Sequence, residues 1–392
     1  MSEAILSPIT FFTPLSADAV GLYNIIQIAA TPLKQTEERK FKAILSDPRL
    51  DTNQIASDTT ALKKGMELIS NEYGEATALA FGSFIASGLN RSQMLDSVRE
   101  IDKLFKTVAS KLPRALLSGF PVTHSKVELA NLIFKLLTAI EPERYMFEYA
   151  PMPEALKYYN DGDPQTQVGN CLDLTIIDNI ILNKFGFQTS AATNEETATG
   201  AFHHVHPRLK INGIPYDLNV YNGSTLQPAD ISKKEIKNIA LIAMIYTVRG
   251  KAEEKLGNYK EAKLLYTKSL ELFPNYLSAY ECRAFVNLQL GLYDEAIEDA
   301  SSALRINPDR YAALNSRAAA RYMKAIGLGQ EGRPAEAKQL LLLALADLNR
   351  AVDIEPYLPL AYTNRANVKW ELGMKKEGDK DWETSQKLRL AP

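Results

Sequence analysis

Two stretches of this chain can be laid over one another: LGNYKEAKLLYTKSLELFPN at 256–275 and LGLYDEAIEDASSALRINPD at 290–309. Gly257 and Gly291 lie 34 residues apart, and so do Pro274 and Pro308. A period of that length means that no unit buries a core alone. Stacked neighbours must do it together, so the back of the chain is constrained to a solenoid. Pro356 falls 48 residues after Pro308, which places 14 extra residues in the third unit, near AIGLGQEGRPAEAKQ. That is about four helical turns, and a lengthened pair of antiparallel helices absorbs them. Gly373 lies 17 residues after Pro356, as Gly291 lies 17 after Pro274, so the register is restored. Four units result, roughly 242–275, 276–309, 310–357 and 358–391.

Each unit reads as two helices. A glycine closes the first where a left-handed backbone is needed, and a proline ends the second. Ala262, Ala296 and Ala344 stand where the helices must approach closely, with Gly378 in their place in the fourth unit. This pattern resembles the tetratricopeptide repeat, which implies an α-solenoid recruiting a protein or peptide partner. Arg249, Arg283, Arg317 and Arg365 recur at one place in successive first helices, followed a turn later by Arg321 and Lys369. Two readings stand. The cations line a groove for acidic or carboxylate-ended peptides, or each pairs with an acid of its own array, the usual fate of a charge on a helix face.

Composition narrows the rest. The 392 residues carry a net charge of −2, which provides no footprint for nucleic acid or an anionic membrane. Two cysteines, Cys171 and Cys282, make no disulfide framework and suit a reducing compartment. The start, MSEAILSPITFFTPLSADAV, lacks a basic leader region. The apolar run LANLIFKLLTAI carries Lys135 and is too short to span a bilayer. A cytoplasmic chain with no membrane span is expected. Residues 1–150 read as a helical region: SADAVGLYNIIQIAA opens on Ser16, one helix stops at Gly74 and another near Gly88. In a further helix Met94, Val98, Ile101, Leu104, Phe105 and Val108 share a face. His124 is read as a cap or a surface residue.

The segment 151–235 carries the chemistry. GNCLDLTIIDNIILNKFG reads as a helix starting near Cys171 and stopping at Gly186. A thiol in the first turn faces orphan N–H groups and the positive helix end, which favour the thiolate. The alternative is a small buried cysteine, the reading given to Cys282. In FHHVHPRLKINGIPYDLNVY, Asn212-Gly213 is a hairpin turn, so directly opposed residues have numbers summing to 425. His204, His206, Asp217 and Asn219 then share one face, and His203 points the other way. Pro207 within the strand is read as marking an edge or a bulge.

Together, GNCLDLTIIDNIILNKFG and HVHPRLKINGIPYDLNVYNG resemble the bacterial SirB-type, transglutaminase-like (papain-fold) family. The resemblance implies an α+β core with a small antiparallel sheet. It implies Cys171 as nucleophile, His204 as base and Asn219 at the acid position, where the family has Asp. Asn orients imidazole by hydrogen bonding without carrying charge, and Asp217 is the other candidate. The expected architecture is a helical region (1–150), this core (151–235) and the repeat array (236–392). The expected activity is attack on an amide or ester carbonyl by a cysteine hydrolase or acyltransferase, ending in hydrolysis, deamidation or transfer, with no cofactor and no metal. The alternative is a catalytically inactive interaction scaffold.

Overall fold

The structure is a computed structural model and describes residues 36–117, 126–139, 171–193, 205–219, 225–230 and 232–390. The helix expected from Ser16 and the capping role of His124 lie outside the described residues. The N-terminal helices are α1 (Glu37–Ile44), α2 (Thr52–Ser57), α3 (Thr59–Tyr73), α4 (Glu75–Ala86), α5 (Arg91–Leu117) and α6 (Lys126–Ala139). Thr36, Asp51 and Asp58 cap the first three by accepting backbone N–H bonds, which relieves the orphan donors of a helix start. Gly74 (φ 95°) separates α3 from α4. In α5, Met94, Val98, Ile101, Leu104, Phe105 and Val108 are all buried, as their spacing predicts.

Helix α7 (Cys171–Lys184) starts at the cysteine, and the chain turns at Gly186 (φ 86°). Among the described residues five antiparallel strands follow: β1 (Gln188–Thr193), β2 (Val205–Ile211), β3 (Ile214–Asn219), β4 (Thr225–Pro228) and β5 (Lys234–Ile236). Their order is β4-β3-β2-β1-β5. Asn212 (φ 51°) and Gly213 (φ 81°) form the hairpin turn with positive φ at both central residues. Ile211 opposes Ile214 and Arg208 opposes Asp217, the register read from the turn. Pro207 lies in an interior strand, not at an edge, and the described β2–β3 pairs run from Arg208 to Ile211 without it. A residue with no N–H cannot donate to that ladder.

The repeats follow as four antiparallel pairs: α8 (Asn238–Lys255) with α9 (Tyr259–Leu272), α10 (Leu277–Gln289) with α11 (Tyr293–Ile306), α12 (Tyr311–Gln330) with α13 (Pro334–Ile354), and α14 (Pro359–Glu371) with α15 (Lys375–Leu390). The third pair has 20 and 21 residues, against 13 and 14 in the second, so the insertion lengthened both helices and left the turn intact. Gly257, Gly291, Gly332 and Gly373 all take φ between 74° and 78° where the first helix ends. Ala262, Ala296 and Ala344 are buried at the close approach. At Gly378 a Cβ would stand 2.6 Å from the Trp370 ring, so the indole of this unit occupies the space alanine fills elsewhere.

One hydrophobic core runs from α1 through α7 and the sheet into α8, α9 and the start of α10. Polar contacts reinforce the junction with the first repeat. Thr59 Oγ1 donates to Glu271, Lys63 Nζ to the Glu271 carbonyl and Lys268 Nζ to the Ala56 carbonyl. The N-terminal helices therefore cap the open end of the solenoid, where an unstacked repeat would expose apolar surface. Lys184 of α7 ties this region further, lying 3.0 Å from Glu37 and 3.4 Å from Asp102, all three nearly fully buried. Among the described residues no helix is long and apolar enough to cross a membrane.

Candidate functional site

The sheet has two unlike faces. Asn183 of α7 donates to Thr189 Oγ1 at 2.6 Å, which fixes the face of β1 that looks at the helix. Thr189 pairs with Leu209 and Ala191 with Pro207 and Ile236, so that face carries Val205, Leu209, Ile211, Leu218 and Leu226, all buried in the common core. The opposite face carries Ser190, His206, Arg208, Asp217 and Glu235. Directly paired residues project to the same side of a sheet, so the polar set looks away from α7.

That polar face is occupied by an ion-pair cluster. Arg208 donates to both Asp217 oxygens, from Nε at 2.6 Å and from Nη2 at 2.9 Å, while Nη2 also donates to the Asp230 carbonyl and Nη1 to that of Lys233. The Asp230 N–H donates to Asp217 Oδ2, and His206 Nε2 lies 3.6 Å from the same oxygen. Burial pushes the Asp217 carboxyl up, but the neighbouring His206 imidazole and hydrogen bonds from Arg208 and Asp230 hold it well below the usual carboxylate range. The cluster clamps the connection between β4 and β5, which leads from one sheet edge to the other and into α8. Asp217, the alternative to Asn219 as the residue orienting the imidazole, is engaged by Arg208. Sequence reasoning missed Arg208, although 208 and 217 also sum to 425.

Cys171 is half-buried at the first position of α7 and packs against the common core. Thr175, one turn on, donates to the Cys171 carbonyl at 2.7 Å and to the Val205 carbonyl at 3.1 Å. The start of α7 thus touches the start of β2, next to position 204. His204 itself lies outside the described residues, as does the side chain of Asn219, which closes β3. What the described residues contain of the expected papain-type core is one helix and one sheet, with the polar residues of the sheet turned from the helix. Cys282 sits in α10, and burial pushes its thiol up to about 11.

The arginine ladder of the repeats is internally paired. Arg283 holds both oxygens of Asp299, Arg317 both of Asp347 and Arg365 both of Asp381, at 2.7–2.9 Å. Arg321 shares Asp347, and Lys369 shares Asp381. Arg249 donates to the Ala86 carbonyl at 2.6 Å and so binds the N-terminal region to the first repeat. Of the two readings of these cations, internal pairing is the one seen, as struts joining the helices of the second, third and fourth pairs, and a specificity for acidic or carboxylate-ended peptides is not shown. Trp370 is one large apolar side chain left exposed on the first helices; the others are Phe285, Met323 and Leu360. Counted from Leu277, Tyr311 and Pro359, they stand 8, 12 and 1 residues on, and the arginines 6 on. At ~100° per residue the three share one ~40° sector, ~120–160° from the arginines.

The family to which the first repeat is similar agrees with this assignment of the C-terminal part. Residues 243–276 match the profile of the tetratricopeptide repeat family, and the array is a tetratricopeptide-type solenoid. Sperm-associated antigen 1 of Rattus norvegicus is 30% identical over 126 residues, 32% of this chain and 12% of that protein. The Mus musculus protein of the same name is 29% identical over the same length. The chain therefore spans 12% of the length of these relatives. Among solved structures, "MamA 41-end from Desulfovibrio magneticus RS-1" is 18% identical with a TM-score of 0.32, covering 38% of this chain and 75% of that one. The first TPR domain of the human RPAP3 protein is 25% identical with a TM-score of 0.29, covering 34% and 94%.

Proposed function

We propose that this chain is a protein-interaction scaffold, with the repeat array as its binding element and the helical and sheet regions as the body that caps and orients it. The observation that carries the reading is the array itself: repeats of this kind bind proteins, and here the first pair is built into a continuous core with everything before it. The exposed sector holding Phe285, Met323 and Leu360 supports a partner met through apolar contact. A photocrosslinking residue placed at Phe285 or Met323 of the full chain, in its native cells, is expected to trap a discrete protein. The same residue at Ile214, exposed on the hairpin, is not. Trapping from Ile214 alone would contradict the assignment.

A second reading, thiol chemistry at Cys171, is supported by the Thr175 contact that brings the start of α7 beside Val205. In that reading Cys171 attacks an amide or ester carbonyl, His204 shuttles the proton and Asn219 orients the imidazole. The engagement of Asp217 with Arg208 weighs against Asp217 as a member. Iodoacetamide labelling at mildly acidic pH, fast at Cys171 and slowed by His204→Ala, is the result this reading requires. Labelling indifferent to His204→Ala removes it.

A further inference from the structure

The repeats provide an internal control, because equivalent positions can be compared at three successive junctions. Where α11, α12 and α13 meet, an open notch of about 290 Å³ is lined by Ser301, Arg305, Pro308, Leu314, Arg317 and Arg350. One repeat earlier the places of Arg305, Leu314 and Arg350 are taken by Glu271, Tyr280 and Ser302. One repeat later they are taken by Asp353, Tyr362 and Thr384. The two tyrosines lie against the ladder arginines, with ring centroids 5.9 Å from Arg283 and 5.2 Å from Arg365, and fill the place that Leu314 leaves open. The junction of the second and third units thus exchanges an acid for an arginine, a hydroxyl residue for a second arginine, and a ring for a shorter side chain.

The charges do not cancel. Arg317 and Arg321 share the single carboxylate of Asp347, and Arg350 pairs with Asp309, which is itself 64% exposed. Arg305 donates to Ser302 Oγ. Ser301 Oγ accepts from Arg317 Nη1 at 3.3 Å and donates to the Ile297 carbonyl at 2.7 Å, so it steadies that guanidinium and has no proton of its own to offer the cavity. Three guanidinium groups, those of Arg305, Arg317 and Arg350, line the cavity, and their carboxylate partners are Asp309 and an Asp347 already shared with Arg321, so positive charge is in excess around a cavity with open access. Arginine forks match the oxygens of a phosphate group in geometry and charge.

We propose that this notch binds a phosphomonoester presented on a serine or threonine of a protein partner, with Arg305 and Arg350 as the contacting cations and Arg317 as the fixed floor. The peptide source rests on the scaffold reading; the anion site does not. The site lies apart from the apolar sector of Phe285, Met323 and Leu360, and the two fail independently.

The test is calorimetric titration of the full chain with N-acetyl-phosphoserine amide, N-acetyl-serine amide and inorganic phosphate. Saturable binding of the phosphoserine amide is expected, with none of the unphosphorylated amide and weaker binding of free phosphate. Arg305→Glu, which installs the residue of the preceding junction, is expected to weaken binding at least tenfold. Leu314→Tyr, which fills the notch as Tyr280 does, is expected to do the same without changing net charge. Asp309→Asn, by releasing Arg350, is expected to strengthen it. Phosphoserine binding indifferent to both Arg305→Glu and Leu314→Tyr, or no binding at all, would overturn the site. Inorganic phosphate bound as tightly as the phosphoserine amide would overturn the peptide source. Photocrosslinking at Phe285 tests the scaffold reading separately.

Discussion

At the scale of single residues, the Arg208–Asp217 pair shows how one face can serve structure where the sequence suggests catalysis. Both groups are buried, and the pair also holds the chain that leads into β5. Removing one partner strands a charge in the interior, which costs about 3–5 kcal/mol. Arg208→Ala is therefore expected to destabilise the fold by about that amount in urea titration, and Asp217→Ala comparably. If Asp217→Ala left stability unchanged, the clamp would be refuted. Cys282 makes a second residue-scale prediction. With its thiol pushed up to about 11, it is expected to resist iodoacetamide at pH 8 in the folded chain and to react only in denaturant.

Among elements, legibility followed periodicity. The 34-residue spacing located every repeat helix, and the turn dipeptide set the register of the hairpin. Neither told which face of the hairpin would meet α7, because pleat parity groups residues without saying what packs on them. β1, β4 and β5 were not read at all. QTSAAT and TLQP lack the alternation that marks a half-buried strand, and KEI is too short to show one. The arginine ladder is visible in the sequence, but the acids of Arg283, Arg317 and Arg365 lie 16 or 30 residues away, on the second helix of the second, third and fourth pairs. A first-helix pattern cannot reveal them. The turn invites a direct check: Gly213 holds φ 81°, so Gly213→Val is expected to cost about 1–3 kcal/mol, read as a lowered urea midpoint. No loss would show that the turn tolerates another conformation.

For the whole molecule, the continuous core makes the N-terminal helices, the sheet and the first repeat one cooperative body, and acid stability follows from it. Burial pushes Glu37 up, but Lys184 and Lys40 hold it below its ordinary value, and Asp217 is lowered likewise. A carboxylate lowered by folding adds stability that is complete above its unfolded value, about pH 4–5, and is lost as pH falls through the folded value. The acid transition is accordingly expected below the usual carboxylate range. Lys184→Met, which leaves Glu37 with less support, is expected to move it upward. An unmoved transition would show that Glu37 is not linked to folding.

The scaffold reading proposed above places the function in the repeat array and not in the cysteine. Its most direct measurement is quantitative mass spectrometry of proteins copurifying with the full chain from its native cells, comparing wild type, Cys171→Ala and Phe285→Asp/Met323→Asp. The predicted result is a partner retained by Cys171→Ala and lost, on a still-folded chain, from the double repeat variant. A partner lost with Cys171→Ala and kept by the repeat variant would contradict it.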